Sequence, residues 1–363
     1  MASSPRNAGR VRARTAAAPR RGTAARPPVM ADVAQLAGVS HQTVSRVLND
    51  HPNVRPDTRE KVLEAIRQLA YRPNAAARAL VTRRTHTLGV IITDSTLYGP
   101  AMMLDGIERA AQHGYFVLIA SLPALDRRSM TDTLDRFLGH AVEGMIVIAP
   151  NTSAVAALSH VPSEVPLVAV GCGTRAPLTS VAVDNAGGAH TATQYLLELG
   201  HETVCHVSGP SSCLDARERV DGWRAALREA GAREPDVMVG DWSARSGYET
   251  GQKLARRDDL TAVFCSNDTI ALGLIRALAE AGRRVPEDIS VIGFDDMPEA
   301  GYFLPPLTTV RQDFSELGRR ALGSLVDRIS GGGPGRHVRV PPELVVRASA
   351  APPAGAVLRR AAP

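Results

Sequence analysis

The sequence predicts an all-α headpiece built round a helix-turn-helix, followed by an α/β core of two lobes with doubly wound parallel sheets. Three observations carry this. Near residues 29–72, apolar residues recur at helical spacing around a glycine turn. Beyond residue 84, short β-branched apolar runs alternate with longer stretches of helical period, as parallel strands buried on both faces do. Those runs are too many for one compact sheet, so two similar lobes are expected.

The chain has 363 residues, 44% hydrophobic and 22% charged, enough for two or three domains with a sizeable core. Net charge is +5, unevenly placed. Residues 1–28 hold seven arginines, Arg6 to Arg26, and no acid; they read as a disordered basic tail that attracts phosphate by charge alone. No apolar run follows that tail, and no stretch of about 18 apolar residues exists, so neither secretion nor a membrane span is expected and the protein reads as cytoplasmic. Cys172, Cys205, Cys213 and Cys265 form no CxxC pair and read as small core or pocket residues.

In residues 29–72, Asp32–Ala37 reads as a first helix and Gly38-Val39-Ser40 as a tight turn, with Ser40 able to cap the next helix. The second helix spans His41–Leu48. Val44, Val47 and Leu48 face its core; His41, Gln42, Ser45 and Arg46 share the opposite face. Arginine suits guanine and glutamine suits adenine in the major groove, so that face fits base edges and phosphates. A third helix follows, roughly Pro56–Tyr71, with Val62, Leu63, Ile66 and Leu69 inward.

The string Asp32-Val33-Ala34-x-x-Ala37-Gly38-Val39-Ser40-x-x-Thr43-Val44-Ser45-Arg46-Val47-Leu48-Asn49 resembles the headpiece of the lactose repressor and galactose repressor family of transcription regulators. Thr58-Arg59-Glu60-Lys61-Val62 and Tyr71-Arg72-Pro73-Asn74 match it too, and the likeness runs from about Val29 to Arg347. It implies that His41, Gln42 and Arg46 read bases and that Thr43, Ser45, Asn49 and Asn74 support the DNA contact. Val29 and Arg55 depart from the family's usual helix-capping residues. Residues 73–84 read as hinge helix and linker: Asn74–Leu80 resembles the family's hinge helix, and seven residues are too few for a stable isolated helix. Leu80 matches the leucine that the family wedges into the minor groove.

In residues 85–347, polar groups gather after strand ends, where doubly wound folds bind ligands: Ser208–Ser212, Ser266-Asn267-Asp268 and Gly293-Phe294-Asp295-Asp296. Asp268 reads as the cap of a helix from Thr269 to Glu280. Leu197–His201, Gly240–Gly247 and Pro305–Asp313 look like family strings, the latter two nearest the lactose-repressor branch. The resemblance implies a periplasmic-binding-protein-like core in which Arg219, Asn267 and Asp295 hold sugar hydroxyls, Trp223 stacks on the ligand and Gln312 borders the pocket. Leu97, Tyr98, Gly99 and Pro100 would form its other wall. Gly171 stands where that branch has an acidic ligand contact, so the sugar itself is not implied.

Residues 348–363 read as a disordered tail whose one leucine, Leu358, cannot support a leucine-heptad tetramer. A homodimer on a pseudo-palindromic operator is expected, with a small sugar as effector. A sugar-binding transport protein would have similar lobes but no headpiece. Gly-x-Ser-x-Gly, His-Glu-x-x-His and phosphate-loop motifs are absent, so no enzyme, cofactor or metal is expected.

Overall fold

A computed structural model describes residues 26–48, 51–72, 84–124, 126–149, 151–158, 165–171, 178–333 and 336–354. Asn49, Asn74, Leu80, the basic tail to residue 25 and nearly all of the expected hinge segment lie outside the described residues. The chain divides into two compact units, Met1–Arg83 and Arg84–Pro363.

Among its described residues, the first unit holds three helices, α1 (Met30–Ala37), α2 (His41–Leu48) and α3 (Pro56–Gln68). Val33, Val44, Val47, Val62, Ala65 and Tyr71 form its buried core. Helix α1 begins two residues before the expected Asp32. Its N-cap Val29 offers no side chain; Asp32 instead accepts the Val29 amide at 2.8 Å and so satisfies an end donor. Gly38 closes α1 at φ 64°, a left-handed conformation that costs glycine nothing. Ser40 Oγ then accepts the Thr43 amide at 3.1 Å, as expected of the α2 cap. Leu63, expected inward, points to solvent and is 42% exposed. Its neighbours Val62, Ala65 and Ile66 already fill the inward stripe of α3.

The second unit runs β1 (Thr87–Thr93), α4 (Tyr98–Ala111), β2 (Phe116–Leu122), α5 (Arg127–Gly139), β3 (Gly144–Ile148), α6 (Thr152–Leu158), β4 (Leu167–Val170), β5 (Ser180–Val183) and α7 (Asn185–Glu198). It continues β6 (Cys205–Ser208), α8 (Leu214–Glu229), β7 (Met238–Val239), α9 (Ala244–Leu254), β8 (Ala262–Cys265), α10 (Asp268–Glu280), β9 (Ser290–Asp295), β10 (Thr308–Arg311), α11 (Phe314–Ile329), β11 (His337–Val340) and β12 (Glu343–Val345). Among the described residues these strands form two six-stranded sheets, ordered β11-β5-β4-β3-β1-β2 and β12-β10-β9-β8-β6-β7. All pairings are parallel except β10 with β12. The expected two lobes of doubly wound sheet are therefore present. Strands β3, β4 and β8 are buried at every residue, which is why their sequences are apolar throughout, while β6 is equally buried but carries His206 and Ser208.

The chain passes between lobes three times: from β5 into α7, from β10 into α11, and from β11 into β12. Residues just past β12 do not behave as the expected disordered tail from residue 348. Ser349 is fully buried, donates to the Val291 carbonyl at 2.6 Å and accepts the Thr308 amide at 2.8 Å. Ser290 likewise donates to the Ala351 carbonyl at 2.9 Å. The second sheet needs these residues to satisfy its inner polar groups.

Candidate functional site

The first candidate surface is α2. Val44 and Val47 pin it to the headpiece core, which turns His41, Gln42 and Arg46 outward, all exposed, with Thr43 and Ser45 partly so. This is the face the sequence predicted. It carries donors and acceptors and no acid.

The second is a cavity of about 720 Å³ between the lobes of the core, within the size range of small-ligand sites. Lobe two supplies Arg219, Asp241, Trp242, Asn267 and Asp295; lobe one supplies Asp94, Leu97, Tyr98, Gly99 and Pro100. Strand β9 ends on Asp295, α8 brings Arg219 one turn in from its start, and Asn267 caps α10. Thus the strand-end rule places the polar floor.

That floor is tightly wired. Arg219 Nε donates to Asn185 Oδ1 at 2.8 Å, and its Nη1 donates to the Ser266 carbonyl. Nη1 also lies 3.6 Å from Asp295 Oδ1, and the guanidinium sits 3.7 Å over the Phe294 ring centroid. Gln312 Nε2 donates to the same Asp295 oxygen at 2.6 Å. Burial lifts the Asp295 carboxyl to about 6, against the pull of Arg219 and Gln312. Behind it, burial lifts Asp215 to about 7, with Arg219 and the Asn185 amide opposing. Asp296 is turned away from the cavity and held by Arg347 at 2.6 Å and Arg311 at 2.7 Å.

Trp242 forms the aromatic wall. Gly209 makes room for it: a Cβ there would sit 2.4 Å from the indole. Asp94, Trp242 and Asp295 hold left-handed backbone, at φ 54°, 73° and 111°. Each costs roughly 1–3 kcal/mol and persists because the surrounding contacts impose it, a pattern found at binding sites.

Two segments match known family models: residues 29–74 match bacterial regulatory proteins of the lacI family, and residues 193–350 match a periplasmic binding protein-like domain. The chain is 37% identical over 324 residues to the HTH-type transcriptional repressor PurR of Photobacterium profundum, covering 88% of this chain and 97% of that one. The chain belongs to the LacI family. It is a DNA-binding transcription regulator with a ligand-binding core, in a family of repressors and not of enzymes. Its fold matches the lac repressor dimer bound to operator and the anti-inducer ONPF, with TM-score 0.79 and 32% identity over 90% of this chain and all of that chain. It also matches a complex of the regulator CelR with cellobiose, with TM-score 0.66 and 32% identity over 89% of this chain and 99% of that one.

Against this LacI-family core, the expected residues divide. Leu97, Tyr98, Pro100, Arg219, Asn267 and Asp295 all line the cavity. Trp223 does not. It is fully buried in lobe two, stacked on His206 at 5.5 Å, with its indole N–H given to the Val204 carbonyl at 2.9 Å. It lies one turn beyond Arg219 on α8, yet faces the sheet. Trp242 takes the wall position, and only the string Gly240–Gly247 marked it. Gln312 lies one layer behind the cavity, where it orients Asp295. Asp268 is not the α10 cap: Asn267 accepts the Ile270 amide at 2.8 Å, while Asp268 accepts the Met297 amide at 2.8 Å and the Thr309 hydroxyl at 2.5 Å. Asn185, which sequence reasoning missed, sits at the first lobe crossing and joins Arg219 to Asp215. Cys213 borders the cavity, while Cys205 and Cys265 are buried in the core of lobe two. Among the described residues no group of three or more potential ligands could hold a metal, and no helix is long and apolar enough to cross a membrane.

Proposed function

We propose that this regulator acts in the cytoplasm as a homodimer on a pseudo-palindromic operator, controls carbohydrate-utilisation genes, and changes its operator affinity when a small sugar fills the core cavity. The observation that carries the sugar reading is the pairing of Arg219, Asn267 and Asp295 with Trp242 across one cavity. Carboxylate, amide and guanidinium serve vicinal hydroxyls, and an indole serves the apolar face of a sugar ring. The solved relatives bound to cellobiose or to operator DNA and ONPF support both halves.

In this reading Gln42 and Arg46 contact base edges, His41 reads beside them, and Thr43, Ser45, Asn49 and Asn74 support the DNA contact. Leu80 wedges the operator centre. Ligand and operator affinities are coupled reciprocally, each changing the other by the same factor. Fluorescence anisotropy of duplexes tiled around the protein's own gene, with and without cellobiose or lactose, tests this. A specific complex whose affinity changes at least tenfold with one sugar is expected. A chain that ignores every duplex at low salt loses the operator assignment. A complex that no sugar alters loses the sensor assignment.

A further inference from the structure

We propose that the effector is a neutral, hydroxyl-rich molecule and that the cavity rejects phosphorylated and carboxylated sugars. This rests on the sugar reading above and sharpens it to a charge class.

Among the described residues, the charged side chains on the cavity wall are Asp94, Asp241, Asp295 and Arg219. Three carboxylates thus face a single guanidinium. Arg219 does not arrive as a spare cation. Its Nε and Nη1 are given to Asn185 and Ser266, and Asp295 answers its charge at 3.6 Å. Asp241 is fixed as a carboxylate, since it accepts the Ser243 amide at 3.0 Å and hydroxyl at 2.5 Å, which holds it below the usual range. Burial first, then Asp295 on the cavity floor, pushes the Tyr98 phenol up to about 12, with Asp268, Asp296 and Glu299 adding from beyond the cavity wall.

Hydrogen-bond chemistry points the same way. A sugar hydroxyl both donates and accepts, whereas phosphate and carboxylate oxygens at neutral pH mainly accept. The cavity wall offers acceptors in its three carboxylates. Besides the three carboxylates, Gln312 Oε1 is buried behind the floor with no partner among the described residues. The first turn of α4 brings amides to the rim, with no side-chain cap from Leu97 and with Pro100 contributing none. Those amides serve a hydroxyl oxygen as well as an anion, so the carboxylates decide between the two.

Calorimetric titration of the full chain with matched pairs tests this: cellobiose against cellobionate, lactose against lactobionate, glucose against glucose 6-phosphate. The neutral member of at least one pair binds, and its anionic partner binds at least about 100-fold more weakly. In the double variant Asp94→Asn, Asp241→Asn that gap narrows at least about tenfold, with an unchanged circular-dichroism spectrum and thermal unfolding midpoint certifying the fold. An anionic member that binds as tightly as its neutral parent overturns the charge rule and leaves the sugar reading standing. An unchanged gap in the variant overturns these carboxylates as its cause. No binding by any member at millimolar concentration overturns the sugar reading, and the charge rule with it.

Discussion

The two walls of the cavity differ in kind. In lobe two, Arg219, Asn267 and Asp295 are each less than 9% exposed and locked by internal hydrogen bonds before any ligand enters. In lobe one, Leu97, Tyr98, Gly99 and Pro100 are half-buried, drawn from one helix start, and Tyr98 is held by an edge contact to Phe314 at 6.1 Å. One wall is a preorganised polar template; the other is a looser cover. Preorganised groups spend little ordering entropy on binding, so lobe two should carry most of the affinity.

The contrast is sharpest at Asp295. Asp295→Asn removes the charge that answers buried Arg219, and should weaken effector binding by about 2–3 kcal/mol, roughly 30- to 150-fold. Calorimetry checks this, and a change under threefold would put the template elsewhere. Trp242→Ala comes next, at about 1–2 kcal/mol. The chain has two tryptophans, so in a Trp223→Phe background Trp242 reports alone, and effector should change its emission. Acidification is third. Asp295 is ionised at neutral pH and protonates as pH falls through about 6, so effector affinity should decline below that point, by at most about tenfold per pH unit. Stability runs the other way for this group. Its carboxyl is raised from 3.8, so its favourable contribution is complete below 3.8 and is lost as pH rises through about 6. The smallest effect belongs to the cover: Tyr98→Phe should cost less than about 0.5 kcal/mol. A loss there equal to that of Asp295→Asn would erase the distinction between the walls.

The fold was legible wherever local pattern and burial agree. Continuous apolar runs fill the wholly buried β3 and β4, and the period of Val44, Val47 and Leu48 placed the inward face of α2 correctly. Tryptophan was misread because periodicity on α8 does not say which of two buried directions a ring takes. Trp223 and Arg219 sit four residues apart on the same helix, yet the arginine reaches the cavity and the indole the sheet. Asp268 was misread for a similar reason, since Asn267 and Asp268 both have cap chemistry and only the backbone of α10 chooses between them. The buried end of the core past Arg347 carries no apolar signal, because Ser349 acts there through hydrogen bonds.

Residue order alone settled the helix-turn-helix, the count of lobes and the strand ends that carry polar groups, since these follow from spacing and from apolar content along the chain. The pairing of Arg219 with Asn185, the seat of Trp242 against Gly209 and the excess of carboxylate around the cavity were decided only in three dimensions. Those contacts join residues tens of positions apart, and local propensity holds no information about which distant groups a shared low-dielectric cavity will bring together.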